Sequence, residues 1–429
     1  MPVSQQKSLP LEGLRILDLT RILAGPWSTQ ILADLGAEVI KIERPGSGDD
    51  TRSWGPPTLQ DSTGTDRGAA YFHAANRGKK SVCIDIGTSE GQRLVRNLAQ
   101  HCDVVVENFK VGGLKNYGLD YQSLSDIKPD LIYCSITGFG QTGPYAERAG
   151  YDFMIQAMGG LMSITGRPDE EPGGEPMKAG VALTDILTGL YATIGMLAAL
   201  RHRDQTGVGQ HIDLSLLDVQ VATLANQALN YLATGNSPAR LGNAHPNIVP
   251  YQAFATQDGH IILAIGNDRQ FARFCKLSDQ TELATDPLYA TNPARVANRA
   301  MLVPILADVL TQQTTNWWIE NLASAGVPAG PINDLERVFA DQQVQARGMC
   351  TTPKTREGNT LRGVASPLKL SETPPQDQVA APDLGADSRD VLSRVLGLSE
   401  QEFTDLQTAG IVDGTAQTAS VGLSRASAT

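Results

Sequence analysis

The sequence predicts an α/β protein, with a Rossmann-like parallel sheet in a large domain and a smaller α+β domain beside it. Three observations carry this reading. Short apolar runs alternate with helical stretches through the first half of the chain. At 429 residues the chain exceeds what one hydrophobic core usually organises. A stretch rich in Gly, Pro and Asn, 237–251, marks a change of character in the middle.

The strands are read in order. Leu14–Thr20 (LRILDLT) reads as a buried strand, and Ala37–Arg44 (AEVIKIER), Ser81–Ile86, Asp103–Phe109 (DVVVENF) and Leu131–Thr137 (LIYCSIT) continue the series of short strands. Pro26 suits the first turn of a helix that runs to about Leu35, where Gly36 stops it. Ser89 is expected to cap a helix through Gln100. Thr184–Arg201 is apolar nearly all round and is expected to be a deeply buried helix. His211–Leu217 alternates like a strand, and one helix is expected over about 218–234.

These readings give a domain plan. Residues 1–215 form the first part of the large domain, 216–250 a linking region and 251–327 the small domain. Residues 328–412 return to the large domain, and the Ala/Ser/Thr/Gly-rich tail 413–429 is expected to be disordered.

Composition narrows the function. Apolar residues at 41% and charged residues at 19% describe an ordinary globular chain. A net charge of −11 disfavours nucleic acid as partner, since phosphate binding needs a basic face. No unbroken apolar run of span length occurs and the polar start has no leader-like core, so neither a membrane partner nor export is expected. The five cysteines are scattered and odd in number, as free thiols in a reducing cytoplasm would be. No cluster of His and Cys suggests a metal.

Ligands of such sheets sit at the carboxyl ends of the strands. No GxGxxG follows the first strand and no GxxxxGK[ST] occurs, which disfavours nicotinamide dinucleotides and P-loop chemistry. Arg21 and Arg44 end the first two strands and can meet an anion there or merely face solvent. Asp185 opens the long apolar helix. A carboxylate there is either a cap on free backbone N–H groups or a nucleophile in an apolar setting. Spacing alone leaves both open.

Several stretches decide further. They are LEGLRILDLTRILAGPWSTQILADLGAEVIKIERPGSGDDTR (Leu11–Arg52), VVENF (Val105–Phe109), YCSITGFGQTGPY (Tyr133–Tyr145) and AGYDF (Ala149–Phe153). KAGVALTDILTGLYA (Lys178–Ala192), GNAHPNIVPYQAF (Gly242–Phe254) and GVPAGPIND (Gly326–Asp334) follow. In this order they resemble the class III CoA-transferases, most of all the enzymes that exchange CoA between succinate and another dicarboxylate.

The resemblance implies that Asp185 is the catalytic nucleophile. It implies CoA contacts from Arg21, Ala24, Arg44, Ile84, Asn108, Phe109 and Leu216. Two cations common in the family are missing, at Gly87 and Asn116, so Lys115 or Lys110 is expected to supply phosphate contacts. Arg21, Arg52, Tyr151 and His245 are candidate acceptor contacts, an arginine being suited to the free carboxylate of a dicarboxylate. The family's glycine-run loop over the nucleophile is absent, and Asn243–Asn247 (NAHPN) lies there instead. The resemblance also implies an interlocked ring homodimer, a CoA thioester as substrate, and no permanently bound cofactor or metal. Backbone N–H groups near the nucleophile are expected to hold the oxyanions.

The alternatives are a racemase of the α-methylacyl-CoA type and a transferase with a monocarboxylate acceptor. Such racemases pair the Asp with a His in an AGHD-like stretch; here it is AGYD, with Tyr151 in that place. A phenol of ordinary pKa near 10 is a poor base near neutrality.

Overall fold

The structure is a computed structural model that describes residues 8–414. Residues 415–429, which make up nearly all of the expected disordered tail, lie outside the described residues. The chain divides into two compact units. Among the described residues the first comprises 8–159, 180–224 and 343–414, and the second 160–179 and 225–342.

In the first unit six strands form a parallel sheet: β1 (Arg15–Asp18), β2 (Glu38–Glu43), β3 (Lys80–Ile84), β4 (Val104–Glu107), β5 (Ile132–Thr137) and β6 (Gln210–Ser215). Their spatial order is 3-2-1-4-5-6, with a short antiparallel strand Val412–Asp413 beside β3 as the seventh. All the other pairings are parallel. This is the doubly wound order, in which direction reverses between β1 and β4 and a crevice opens beyond their carboxyl ends. β4 (VVVE) and β5 (IYCSIT) are buried at every residue, as central strands covered on both faces must be.

One core lies on each face of the sheet. Leu17, Ile40, Val82, Val105 and Tyr133 pack under helix α2 (Ser89–Gln100) and the C-terminal segment. Ile16, Val39, Val104, Val106 and Ile132 pack under helices α1 (Ala24–Asp34) and α4 (Leu183–Thr206). Between them in sequence lies α3 (Asp152–Met158), and α5 (Leu216–Ala222) follows β6.

Several expectations need correction. The cap of α2 is Thr88, whose hydroxyl accepts from Gly91 N–H, and Ser89 is the first helical residue. The single helix expected over 218–234 is two, Leu216–Ala222 and Ala225–Thr234, broken where Ala225 takes a positive φ of 49°. The boundary between the units falls at that break. The segment 160–179, read as large domain, groups with the second unit, as do residues 328–342.

α4 is also buried less completely than its composition suggests. Thr184, Thr188, Ala192, Met196 and Ala199 face the core. Leu190, Tyr191 and Ile194 are exposed, Ile194 at 61%. By length and apolarity alone this helix is long enough to cross a membrane, although no unbroken run in the sequence announces it. Its buried stripe lies on α1, β5 and β6.

The second unit is α+β. Strands β7 (Tyr251–Ala255), β8 (His260–Ala264) and β9 (Ala329–Pro331) form an antiparallel sheet in the order 9-8-7. Its core gathers Phe271, Phe274, Leu302, Leu306 and Trp318 from the flanking helices. Arg295 is fully buried there, donating to Val249 O, Tyr289 O and Asp268.

Candidate active site

α4 has no side-chain cap of its own at Ala182, so the first N–H groups of the helix need partners from elsewhere. Asp152, at the start of α3, supplies them. Its Oδ1 accepts from Thr184 N–H at 2.8 Å and from Asp185 N–H at 3.1 Å. Leu183 N–H goes to Val181 O and Ile186 N–H to Ala182 O. All four N–H groups of the first turn are therefore satisfied without the Asp185 side chain. The capping role open to Asp185 in the sequence belongs to Asp152. This turn of α4 therefore has no N–H left for an oxyanion.

Asp152 is itself held. Gln156 Nε2 donates to its Oδ2 at 2.6 Å. Thr184 Oγ1 donates at 2.6 Å to Oε1 of Gln220 on α5, tying three helices together around the start of α4. Just before α3, Gly138 and Gly150 bring two backbones into contact. A Cβ on Gly138 would lie 2.5 Å from the Gly150 Cα, so nothing larger fits. This closure sets α3 against the carboxyl end of β5.

Asp185 is left partly buried, and no hydrogen bond or ion pair reaches its carboxylate among the described residues. Burial, and then the charge of Asp152, push its carboxyl up to about 7. Tyr71 is close enough that Asp185 adds to the burial that raises its hydroxyl.

One turn along α4, Gly189 fixes the approach to α1. A Cβ there would sit 2.7 Å from Ala24 O and 3.1 Å from Trp27. The nucleophile candidate is thus carried next to the amino end of α1, which begins at the crevice loop after β1.

That loop meets the loop after β4 across the reversal point of the sheet. Asn108 Oδ1 accepts from Arg21 N–H at 3.0 Å, and Asn108 Nδ2 donates to Arg21 O at 2.8 Å. Arg21 forms an ion pair with Asp50 at 2.8 Å, and its guanidinium lies 5.9 Å from the Phe109 ring centroid. The buried Glu107 accepts from Phe109 N–H at 2.7 Å; burial pushes its carboxyl up to about 7. Arg21, Ala24, Asn108 and Phe109 are therefore gathered in one place.

Most of the chain matches known proteins. The model of CoA-transferase family III matches residues 11–388. A succinate–glutarate CoA-transferase of Agrobacterium fabrum is 52% identical over 390 residues, covering 90% of this chain and 96% of that protein. The human succinyl-CoA:glutarate CoA-transferase is 45% identical over 412 residues, covering 94% and 90%. A crystal structure of a CaiB/BaiF family protein from Brucella suis is 53% identical and superposes with a TM-score of 0.79, covering 91% of this chain and all of that one. The chain belongs to CoA-transferase family III.

Other candidate positions in this family III transferase are scattered. Arg44 and Lys115 are exposed at the ends of crevice loops, as are Lys110, Gly87 and Asn116. Ile84 does not open onto the crevice; its side chain is 1% exposed in the core, because β3 is covered on both faces. Leu216 is buried at the start of α5. Arg52 does not fit an acceptor contact. Its Nε and Nη2 bind both oxygens of Glu43, Nη2 also reaches Pro382 O, and the group stacks 3.7 Å from the Phe72 ring centroid. Tyr151 is 67% exposed, immediately before Asp152. His245 belongs to the second unit. Its Nδ1 accepts from Asn247 N–H, and Arg299 pins its loop through His245 O and Pro246 O.

The residues that the sequence reading passed over are Asp152, Glu107, Lys41 and Asp49. Asp152 stood in a quoted motif, but its partners are 32 and 33 positions away and leave no local trace.

Proposed function

We propose that this family III enzyme moves CoA from succinyl-CoA to glutarate through a covalent intermediate on Asp185. One observation carries the mechanism: a partly buried carboxylate at the start of α4, relieved of capping by Asp152 and free of any protein partner among the described residues. The succinate–glutarate transferases named above support the substrate pair, as does the likeness extending over nearly the whole of both chains.

The chemistry balances without metal or redox partner. An Asp185 oxygen attacks the thioester carbonyl of succinyl-CoA, and the C–S bond breaks to release CoA thiolate. A succinyl–aspartyl anhydride remains. The thiolate attacks the aspartyl carbonyl, expels succinate and leaves Asp185 as a CoA thioester. Glutarate attacks that thioester, and the returning thiolate cleaves the second anhydride on its glutaryl carbonyl. Glutaryl-CoA leaves and the carboxylate is restored. The raised basicity of Asp185 supports the attacking role, because a more basic oxygen is a better nucleophile when ionised.

Arg21 is better suited to CoA than to the far carboxylate of glutarate. It stands with Asn108 and Phe109, the other positions expected to contact CoA. The homodimer is part of this proposal, and the exposed apolar residues Leu190, Tyr191 and Ile194 on α4 support a covered face there. Incubation with succinyl-CoA and a panel of mono- and dicarboxylates, followed by mass analysis of the thioesters, tests the substrate pair. Glutaryl-CoA should form fastest. Equal transfer to monocarboxylates of similar length would overturn the dicarboxylate assignment.

A further inference from the structure

A strained turn lies at the mouth of the crevice. Ile22 has a φ of 73°, a region that β-branched residues rarely enter. Its N–H points to both carboxylate oxygens of Asp49, at 3.2 and 3.3 Å. One residue earlier, both backbone groups of Arg21 are bracketed by Asn108. One earlier still, Thr20 O accepts from Lys41 Nζ at 2.8 Å. Lys41 and Asp49 are joined at 2.8 Å, and neither side chain has any exposed surface. Three side chains, from β2, from the loop after β2 and from the loop after β4, thus fix the backbone of three consecutive residues.

The clamp is braced from behind. Asp18, at the end of β1, accepts from the Thr20 N–H and hydroxyl, from Thr29 and from the buried Lys79. Asp49 also accepts from the Thr51 N–H and hydroxyl, and Glu43 accepts from Asp49 N–H. The charged groups facing Lys41 are Asp49, Asp18, Glu43 and Lys79, all deep in the first unit. Burying so many charges is costly unless each is paired, and a simple apolar core would hold the sheet at least as well. What the apolar alternative lacks is the ability to hold three backbone groups in a conformation the chain does not favour.

We infer that Lys41 and Asp49 are positioning residues for CoA binding: as a buried ion pair they hold the Thr20–Ile22 turn, and with it Arg21 and Ala24, in the shape that receives the nucleotide end of the donor. The inference rests on the reading that this turn contacts CoA. It assigns the pair no contact with CoA.

The test replaces both charges at once, so that neither is left buried alone. Lys41→Met with Asp49→Ala is compared with the wild-type chain for CoA affinity by calorimetry and for kcat and KM. The expected result is a donor KM and CoA Kd raised about tenfold or more, with kcat at saturating donor within about twofold. Adding Ile22→Gly should recover much of the affinity, because glycine adopts the turn without being held. An unchanged donor KM overturns the inference. So does a lowered melting temperature with kcat and KM both impaired and no recovery by Ile22→Gly, since that is the signature of a merely structural pair.

If the double variant fails to fold, Ile22→Pro decides, because proline removes the N–H and forbids this φ at a partly exposed position. Loss of CoA affinity in Ile22→Pro supports the clamp, and wild-type affinity overturns it. Arg21→Ala separates the two readings. Weakened CoA binding in Arg21→Ala with unaffected clamp variants overturns the clamp alone; unaffected binding in all of them overturns the CoA reading as well.

Discussion

Asp152 caps the helix that carries Asp185, its Oδ1 lying 2.8 Å from Thr184 N and 3.1 Å from Asp185 N. The two carboxylates divide the work. One satisfies the amino end of α4, and the other is left free beside it. A carboxylate at that end is favoured by the helix dipole, but the second in the same place is opposed by the first.

Removing the cap should therefore act in two distinguishable ways. Asp152→Ala leaves two N–H groups without their acceptor and should cost about 1–2 kcal/mol in chemical denaturation. Activity should fall with it, because the first turn of α4 frays. Asp152→Asn keeps an oxygen acceptor and should cost less than half as much.

The pH dependence of donor capture follows from the same pair. With its carboxyl pushed up to about 7, Asp185 is largely protonated at pH 6 and largely ionised at pH 8. kcat/KM for succinyl-CoA should rise over that interval. Asp152→Asn removes the neighbouring negative charge and should move the midpoint to lower pH. A profile already flat above pH 5 would show an ordinary carboxylate at the site.

Stability should respond in the opposite sense. The folded pKa of Asp185 lies above its unfolded value near 3.9, so this group's contribution is lost as pH rises between the two and stays low above them. Asp185→Asn should abolish transfer yet stabilise the fold by on the order of 2 kcal/mol at pH 8, with the gain shrinking toward pH 4. Urea titrations at the two pH values measure the difference.

Gly189 tests whether the contact of α4 with α1 sets the site. Its Cβ would meet Ala24 O at 2.7 Å, so Gly189→Ala should cost about 1–3 kcal/mol from overpacking despite alanine's better helix propensity. Donor KM should rise as the helices part. A stabilised variant with unchanged KM would show that the two helices have room to spare.

How much of this was legible in the sequence depended on the range of the interaction. β5 showed itself as an apolar run because a strand buried on both faces has few other compositions open to it. The crevice loops were legible for the same reason, as the ends of such runs. The break at Ala225 was not, because alanine is a good helix former and the turn is imposed by the surrounding structure. Lys41 sits inside a strand, where a lysine reads as an edge or solvent residue. Its burial depends on Asp49 and Asp18, which only the folded sheet brings to it. Asp185 was found through resemblance, while Asp152 could be assigned only once α3 and α4 were seen end to end.

The most direct test of the account is to find the covalent intermediate. The enzyme is incubated with succinyl-CoA, quenched with hydroxylamine and digested, and its peptides are sequenced by mass. An aspartyl-CoA thioester or anhydride at the nucleophile is converted to an aspartyl hydroxamate. That hydroxamate is expected on Asp185 alone, dependent on succinyl-CoA and absent from Asp185→Asn. Hydroxamate on another carboxylate, or transfer at wild-type rate in Asp185→Asn, would contradict it.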